Sequence, residues 1–142
     1  MINLNGLYTH NVDAKGRLSL PAKFRAKLPE ELVAMVDISG ECLYVFDEEG
    51  FDGYVEQIFA LKGGYNPMKR EHIELRRQIS ERATDVSVDA AGRINIPANL
   101  REAVGITKEV CLIGNTGYFE IWDAKRRDAA RASVNLADLL EA

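Results

Sequence analysis

A ten-residue pattern that occurs twice constrains this chain more than any other feature of its sequence. Residues 12–21 read Val-Asp-Ala-Lys-Gly-Arg-Leu-Ser-Leu-Pro, and residues 88–97 read Val-Asp-Ala-Ala-Gly-Arg-Ile-Asn-Ile-Pro, an offset of 76 positions. The same offset aligns residues 43–47 with residues 119–123. One register that covers two separated blocks predicts a duplicated module and not a chance match of a short motif.

The length of the chain limits how the two modules can fold. Each half of a 142-residue chain has roughly 70 residues, which is near the lower limit for an independent core. We therefore expect the two halves to share one hydrophobic core. The repeat divides the chain into a first module at residues 1–64, a linking helix at 65–83, and a second module with a C-terminal helix at 84–142.

Each copy of the pattern is typical of a β-hairpin. An Asp-x-x-Gly turn separates two short runs of alternating character, which point Leu18 and Leu20 toward the core and Arg17 and Ser19 outward. Pro21 then opens a short helix that we expect to reach Leu28. In both modules a second hairpin and a capped helix follow, and the linking helix is predicted from about residue 66 to 82. The fold class is mainly β with helices (α+β).

The charges are unevenly distributed along a chain that is acidic overall, with a net charge of −4. Residues 1–28 carry five basic groups and one acidic group, a local charge of +4, whereas residues 29–64 carry nine acids and one lysine, a local charge of −8. The basic block contains the first copy of the pattern. A chain with this charge distribution can present a positive face to DNA phosphates while it stays acidic overall.

Several classes of protein are disfavoured by the sequence. No apolar run approaches the roughly 18 residues of a membrane span, and we see no signal peptide, so a cytoplasmic protein without a membrane partner is expected. Cys42 and Cys111 occupy different repeat positions, since Cys111 aligns with Met35, and we interpret both as small buried apolar residues. No phosphate-binding glycine loop, catalytic set or spaced cluster of metal ligands is visible. We predict no enzymatic activity, no cofactor and no metal.

Two interpretations of the repeated turn stay open at this point. In the functional one, each hairpin projects an arginine toward a DNA duplex while the nearby aspartate orients the guanidinium, since a two-stranded ribbon fits the major groove and arginine can take two acceptors on a guanine edge. In the structural one, each aspartate only caps its own turn, and each arginine forms an exposed ion pair of little energetic value. Lys23, Arg25 and Arg101 either contact phosphate or lie on solvated helix faces.

The doubled Asp-x-x-Gly-Arg-x-x-x-Pro motif, in a chain of about this length, resembles the MraZ family. That resemblance covers nearly the whole chain and implies two tandem modules of the SpoVT/AbrB-like type: swapped-hairpin half-barrels that form one pseudo-symmetric barrel with flanking helices. It implies a sequence-specific transcriptional regulator of the division and cell-wall gene cluster that binds repeated boxes in its own promoter region. It further implies location on the nucleoid and assembly into a ring of many identical subunits.

Carried over residue by residue, the family's Asp-x-x-x-Arg DNA-binding motif falls on Asp13 and Arg17 and again on Asp89 and Arg93. The alternative is an antitoxin-like protein-binding module that holds a basic partner with its acidic segment, residues 29–64, and its C-terminal tail. For the favoured hypothesis, the candidate DNA-binding residues are Asp13, Lys15, Gly16, Arg17, Lys23, Arg25, Asp89, Gly92, Arg93 and Arg101.

Overall fold

The computed structural model describes residues 1–142 and contains eight strands and six helices. In chain order the elements are β1 (Leu7–Asn11), β2 (Arg17–Ser19), α1 (Ala22–Arg25), β3 (Glu31–Val36), β4 (Leu43–Phe46), α2 (Glu48–Ala60), α3 (Arg70–Arg82), β5 (Thr84–Ser87), β6 (Arg93–Asn95), α4 (Ala98–Ala103), β7 (Glu109–Gly114), β8 (Tyr118–Asp123), α5 (Ala124–Ala132) and α6 (Leu136–Glu141). The predicted α+β class is confirmed.

An aspartate at the preceding position sets the starts of α2 and α5. Asp47 caps α2 by accepting a hydrogen bond of 2.7 Å from the backbone N–H of Gly50. Its repeat counterpart Asp123 caps α5 in the same way, accepting from the N–H of Arg126 at 3.2 Å. A side-chain acceptor at this position satisfies a backbone donor that the helix itself leaves unpaired.

The strands form two antiparallel sheets that both modules build together. The larger sheet has the order β1-β7-β8-β4-β3-β5, and β2 pairs with β6 in a separate two-stranded ribbon. Each module's first strand therefore joins the other module: β1 pairs with β7 of the second module, and β5 pairs with β3 of the first. Neither module forms its sheet from its own strands alone.

The pairing registers reveal an approximate twofold axis through the chain. Leu18 in β2 lies opposite Ile94 in β6, and Tyr44 in β4 lies opposite Glu120 in β8. Both pairs are separated by the repeat offset of 76 positions. Antiparallel strands that each oppose their own counterpart at one position are related by a twofold axis at that position, as in a symmetric dimer.

The two halves share one hydrophobic core, as the length predicted. Its 19 buried residues come from both modules and include Leu18, Phe24, Ile94 and Phe119. Phe24 of α1 is central to this core, since its ring centroid lies 5.3 Å from the rings of both Tyr8 and Phe119. Burying aromatic and aliphatic side chains from both halves in one cluster makes the folding of each module depend on the other.

The single repeat offset expected from the sequence is wrong for the third strand of each module. The Val12 N–H donates to the carbonyl of Lys108, and the equivalent Val88 N–H donates to that of Glu30. These partners are 78 positions apart and not 76, because α4 has six residues and α1 has four, while five residues follow each helix before the next strand. The turn between β7 and β8 has three residues and its counterpart between β3 and β4 has six, and the paired residues of β4 and β8 return to the original offset.

Two helices differ from their predicted bounds. The linking helix begins at Arg70 and not near residue 66. The side-chain oxygen of Asn66 accepts a hydrogen bond from the Met68 N–H at 2.9 Å, which folds residues 66–68 into a turn. The helix after Pro21 spans only Ala22–Arg25 and ends before Leu28. His72 is buried, and its Nδ1 accepts from the Asn66 N–H at 2.9 Å.

Candidate nucleic-acid interface

The first copy of the motif forms a tight hairpin turn that its aspartate organises. One carboxylate oxygen of Asp13, Oδ1, accepts from the backbone N–H groups of Lys15 at 3.0 Å and Arg17 at 2.9 Å. The other, Oδ2, accepts from the Nε–H of Arg17 at 2.7 Å. Across the turn, the Asp13 N–H donates to the Arg17 carbonyl at 3.0 Å. One side chain thus fixes both the backbone of the turn and the direction of the arginine.

The second copy repeats this geometry atom for atom. Asp89 Oδ1 accepts from the N–H groups of Ala91 and Arg93, both at 2.9 Å, and Oδ2 accepts from the Arg93 Nε–H at 3.1 Å. In both turns the aspartate takes only the Nε–H of the guanidinium. The two terminal nitrogens of Arg17 and of Arg93 form no hydrogen bond within the chain and are open to an external acceptor.

The electrostatics of the two turns match their geometry. Hydrogen bonds from the backbone and the guanidinium of Arg17 hold the pKa of Asp13 below its ordinary value, and the pKa of Asp89 is lowered by the same contacts from the second turn. Both carboxylates therefore stay ionised at neutral pH. A charged aspartate keeps each guanidinium oriented although the arginine side chains are about one third exposed.

Pairing of β2 with β6 brings the two arginines to one face. Leu18 and Ile94 are buried on the inner side of the ribbon, so Arg17 and Arg93 extend from the outer side. Arg17 lies opposite Asn95, and Arg93 lies opposite Ser19. The two arginines are thus diagonal neighbours, whose backbones are roughly 7–8 Å apart in an antiparallel pair.

Glycine is required in both turns because the other module packs against it. Gly16 has φ +85°, and an added Cβ would lie 2.7 Å from the backbone oxygen of Ile96 and 3.1 Å from Nε of Arg101. Gly92 has φ +77°, and its added Cβ would overlap the Arg25 side chain. Only glycine combines a positive φ with this close approach at little cost.

The helical arginines predicted to contact phosphate lie across the opposite hairpin. Arg101 of α4 donates from Nε to the Ile96 carbonyl at 3.0 Å beside the first turn, and Arg25 of α1 donates from Nη1 to the Ala91 carbonyl at 3.4 Å in the second turn. Both follow a buried anchor, Phe24 or Leu100, that fixes the helix. Each helix thereby supports the other module's turn.

The remaining candidates lie nearby, together with two residues that were not among the DNA-binding residues predicted from the sequence. Lys15 is exposed at the tip of the first turn, and Lys23 is exposed on α1. Ser19 and Asn95 share the outer face of the ribbon with the two arginines and are exposed. Their position follows from the period of two along a strand, which places residues 17 and 19, and 93 and 95, on the same side.

Comparison with known proteins agrees with this doubled architecture. The family model described as "MraZ protein, putative antitoxin-like" matches residues 4–63 and 79–135, one segment in each half of the chain. The chain belongs to the MraZ family. The match leaves out residues 64–78, which include most of α3, and it ends before α6.

Curated MraZ relatives match across most of the chain. A protein from Lachnoclostridium phytofermentans is 40% identical over 121 residues, which are 85% of this chain and 82% of the relative. A protein from Treponema denticola is 32% identical over 87% of this chain and 83% of its own length, and one from Escherichia coli is 35% identical over 80% and 74%. All three are named "Transcriptional regulator MraZ".

The MraZ family is one of transcriptional regulators and not of enzymes, in agreement with the prediction made from the sequence. No three or more histidine, cysteine, aspartate or glutamate side chains lie together as they would in a metal site. None of the six helices combines the length and the apolar character that a membrane crossing requires.

Proposed function

We propose that the chain is a sequence-specific DNA-binding regulator that inserts the outer face of the β2–β6 ribbon into the major groove. The observation that carries this proposal is the joint placement of Arg17 and Arg93. Both lie on one exposed face, both are oriented by an aspartate through Nε, and both keep their terminal nitrogens open. Such a pair fits guanine edges, where arginine donates two hydrogen bonds to O6 and N7.

The proposed roles divide the candidate residues into three groups. Arg17 and Arg93 contact bases, while Asp13 and Asp89 orient them. Lys15 and Lys23 are exposed cations that contact phosphate. The third group supports the turns: Gly16 and Gly92 supply the positive φ, and Arg25 and Arg101 cover the opposite turn, from which they also reach the nearby phosphates.

We also propose the finer features that the resemblance implies. The exchange of β1 and β5 between modules supports a swapped-hairpin barrel built from a first module at 1–64, a linking segment at 65–83 and a second module at 84–142. The target is the repeated boxes in the promoter region of the division and cell-wall cluster, on the nucleoid. In a ring of identical copies, several weak ribbon contacts add through effective concentration, which suits an acidic protein.

Direct binding tests the proposal. Purified protein is titrated onto duplex DNA from its own upstream region at two salt concentrations, beside the variant Arg17→Ala plus Arg93→Ala. Removing a base-reading arginine costs about 1–3 kcal/mol of binding free energy, so specific binding by the double variant should be lost. Equal affinity of the double variant and the wild type would contradict the proposal.

A matched control separates base contacts from general charge. Arg77 and Arg131 also form exposed ion pairs with an acid on their own helix, at 3.5 and 3.6 Å. The variant Arg77→Ala plus Arg131→Ala therefore removes the same two charges from α3 and α5. It should bind the promoter DNA as the wild type does, and both variants should keep the oligomeric state of the wild type.

A second candidate function is antitoxin-like protein binding, favoured by a surface groove beside the N-terminus of α2. Six carboxylates line it: Glu31, Asp47, Glu48, Glu49, Asp52 and Glu56. A basic partner protein would be held there by charge. This candidate predicts a stable complex with a small basic toxin and no shift of promoter DNA, the opposite of the outcome expected for the ribbon.

A further inference from the structure

The two ends of the ribbon are not chemically equal, although the backbone relates them by a twofold axis. Arg17 and Arg93 are counterparts of each other, and so are Ser19 and Asn95, because each pair is separated by the repeat offset of 76. One end thus carries an arginine opposite an asparagine, and the other carries an arginine opposite a serine. The inner side keeps its symmetry, with Leu18 facing Ile94.

The asparagine is free to bind an external group. Asn95 is exposed, and its side-chain amide forms no hydrogen bond within the chain. Directly opposed residues in an antiparallel pair have Cβ atoms about 4.5–5.5 Å apart, so its amide and the Arg17 guanidinium rise from the ribbon side by side. Asp13 already fixes that guanidinium at Nε, which leaves the amide unengaged beside an ordered neighbour.

The asparagine amide and the serine hydroxyl differ in which DNA bases they can distinguish. Asparagine pairs bidentately with adenine by donating to N7 and accepting from the N6 amino group, whereas a serine hydroxyl accepts or donates to any base. The tip next to Arg17 also bears Lys15, whose counterpart in the second turn is Ala91. The Arg17 end therefore has both more base-reading capacity and more positive charge than the Arg93 end.

We propose that Asn95 reads an adenine beside the guanine contacted by Arg17, and that it makes the recognised DNA box directional. This inference rests on the proposed function of the ribbon. The Arg93 end, with Ser19 opposite, contacts its guanine without fixing the neighbouring base pair. A non-palindromic box follows, because a face with one specific and one permissive end distinguishes the two orientations of the duplex.

Selection from a random duplex library, followed by competition with duplexes changed at one base pair at a time, tests the inference. The wild type should select a non-palindromic box. Replacing the adenine of that box should weaken binding by roughly 5- to 150-fold, the range expected for a bidentate base contact. Asn95→Ser gives both ends of the ribbon serine. It should reduce that discrimination to less than about twofold while the guanine preferences remain.

Two further variants keep the outcome unambiguous. Asn99→Ser makes the same substitution at an exposed residue of α4, outside the ribbon, and should leave discrimination at every base pair unchanged. Ser19→Asn installs a second amide and should add an adenine preference on the other side, so that the selected box approaches a palindrome. All three variants should show the thermal unfolding of the wild type.

The possible failures differ from one another. If the wild type selects a box and Asn95→Ser keeps its full discrimination, or loses affinity equally for all sequences, the inference is overturned while the proposed function stands. If the wild type selects no sequence at all, the proposed function and the inference fall together. Selection of a nearly palindromic box by Ser19→Asn, with loss of the adenine preference in Asn95→Ser, would support both.

Discussion

Among the glycine positions compared below, Gly16 is the one where adding a single methyl group, in Gly16→Ala, should lower the free energy of unfolding most. Its φ of +85° lies in the left-handed region, and a Cβ added there would lie 2.7 Å from the Ile96 carbonyl oxygen. That oxygen belongs to backbone and already accepts from Arg101, and the Ile96 N–H donates to the Gly16 carbonyl at 2.8 Å. Gly16→Ala must therefore push two backbone segments apart.

Two matched glycines divide the expected cost into its parts. Gly40 has φ +78° with nothing within 4 Å of an added Cβ, so Gly40→Ala measures the backbone strain alone. A left-handed alanine costs about 1–2 kcal/mol, offset by about 0.4–1 kcal/mol from the less flexible unfolded chain. At Gly92 the overlapping atoms belong to the Arg25 side chain, which can move. Gly92→Ala should therefore be destabilised by this backbone strain and also by the loss of the contacts that Arg25 makes.

Gly16→Ala adds to the strain the loss of hydrogen bonds between the two modules. Weakening the Ile96 to Gly16 bond and displacing Arg101 costs about 1–3 kcal/mol in a partly buried place. The total decrease in the free energy of unfolding is about 2–4 kcal/mol, against about 1 kcal/mol for Gly40→Ala. For a chain of this size, 1 kcal/mol corresponds to a shift of roughly 3 °C in Tm.

Equilibrium urea unfolding at one fixed protein concentration, with thermal unfolding beside it, measures these differences. The expected order of stability is Gly40→Ala above Gly92→Ala above Gly16→Ala. Equal losses for Gly16→Ala and Gly40→Ala would refute the argument that packing of the second module on the first turn excludes a side chain there. A Gly92→Ala loss larger than that of Gly16→Ala would refute the distinction between side-chain and backbone contacts.

Three further predictions concern the core, the turns and the cysteines. Phe24→Ala empties the centre of the shared core and should lower the free energy of unfolding by about 3–5 kcal/mol in urea titration, in a single transition because both modules lose the same contacts. Because the native pKa values of Asp13 and Asp89 are lowered, their contribution to stability is present above pH about 4 and decreases as the pH falls through the native pKa values. In the variant Asp13→Asn plus Asp89→Asn, the free energy of unfolding, measured over a series of pH values, should depend less on pH in that range. Burial, with the negative charge of Glu120 nearby, raises the pKa of the Cys42 thiol. Iodoacetamide should therefore alkylate Cys42 at pH 8 much more slowly in the native protein than in urea. Equal alkylation rates in the two conditions would contradict this prediction.

Local signals predicted most of the elements, because turns and helix starts are encoded by neighbouring residues. The Asp-x-x-Gly turns and the caps Asp47 and Asp123 have the contacts that their residue types indicate. The exchange of β1 and β5 between the modules had no such signal. The pairing of strands that are distant in sequence depends on which face of the sheet is buried, and the five residues of β1 alone do not specify β7 as their partner.

The site shows the same division between local and long-range information. That Arg17 is oriented by Asp13 follows from their spacing in the sequence. That Arg25 covers the turn at Gly92, and Arg101 the turn at Gly16, depends on the pairing of β2 with β6 and was not predicted. The two-residue change of register before β7 was also missed, because a compensating change in the next turn restores the offset of 76 before β8.

Joining the two modules in one chain gives the outer face of the ribbon a freedom that a symmetric dimer lacks. In a dimer of identical modules, any substitution on the ribbon appears at both ends, so the face stays self-complementary to a palindrome. Here the inner positions at 18 and 94 remain alike because they share one core, and both turns keep aspartate, glycine and arginine because the geometry needs all three. The outer positions have no such constraint. Their divergence to Ser19 and Asn95 changes what the face can recognise without changing how the fold is held together.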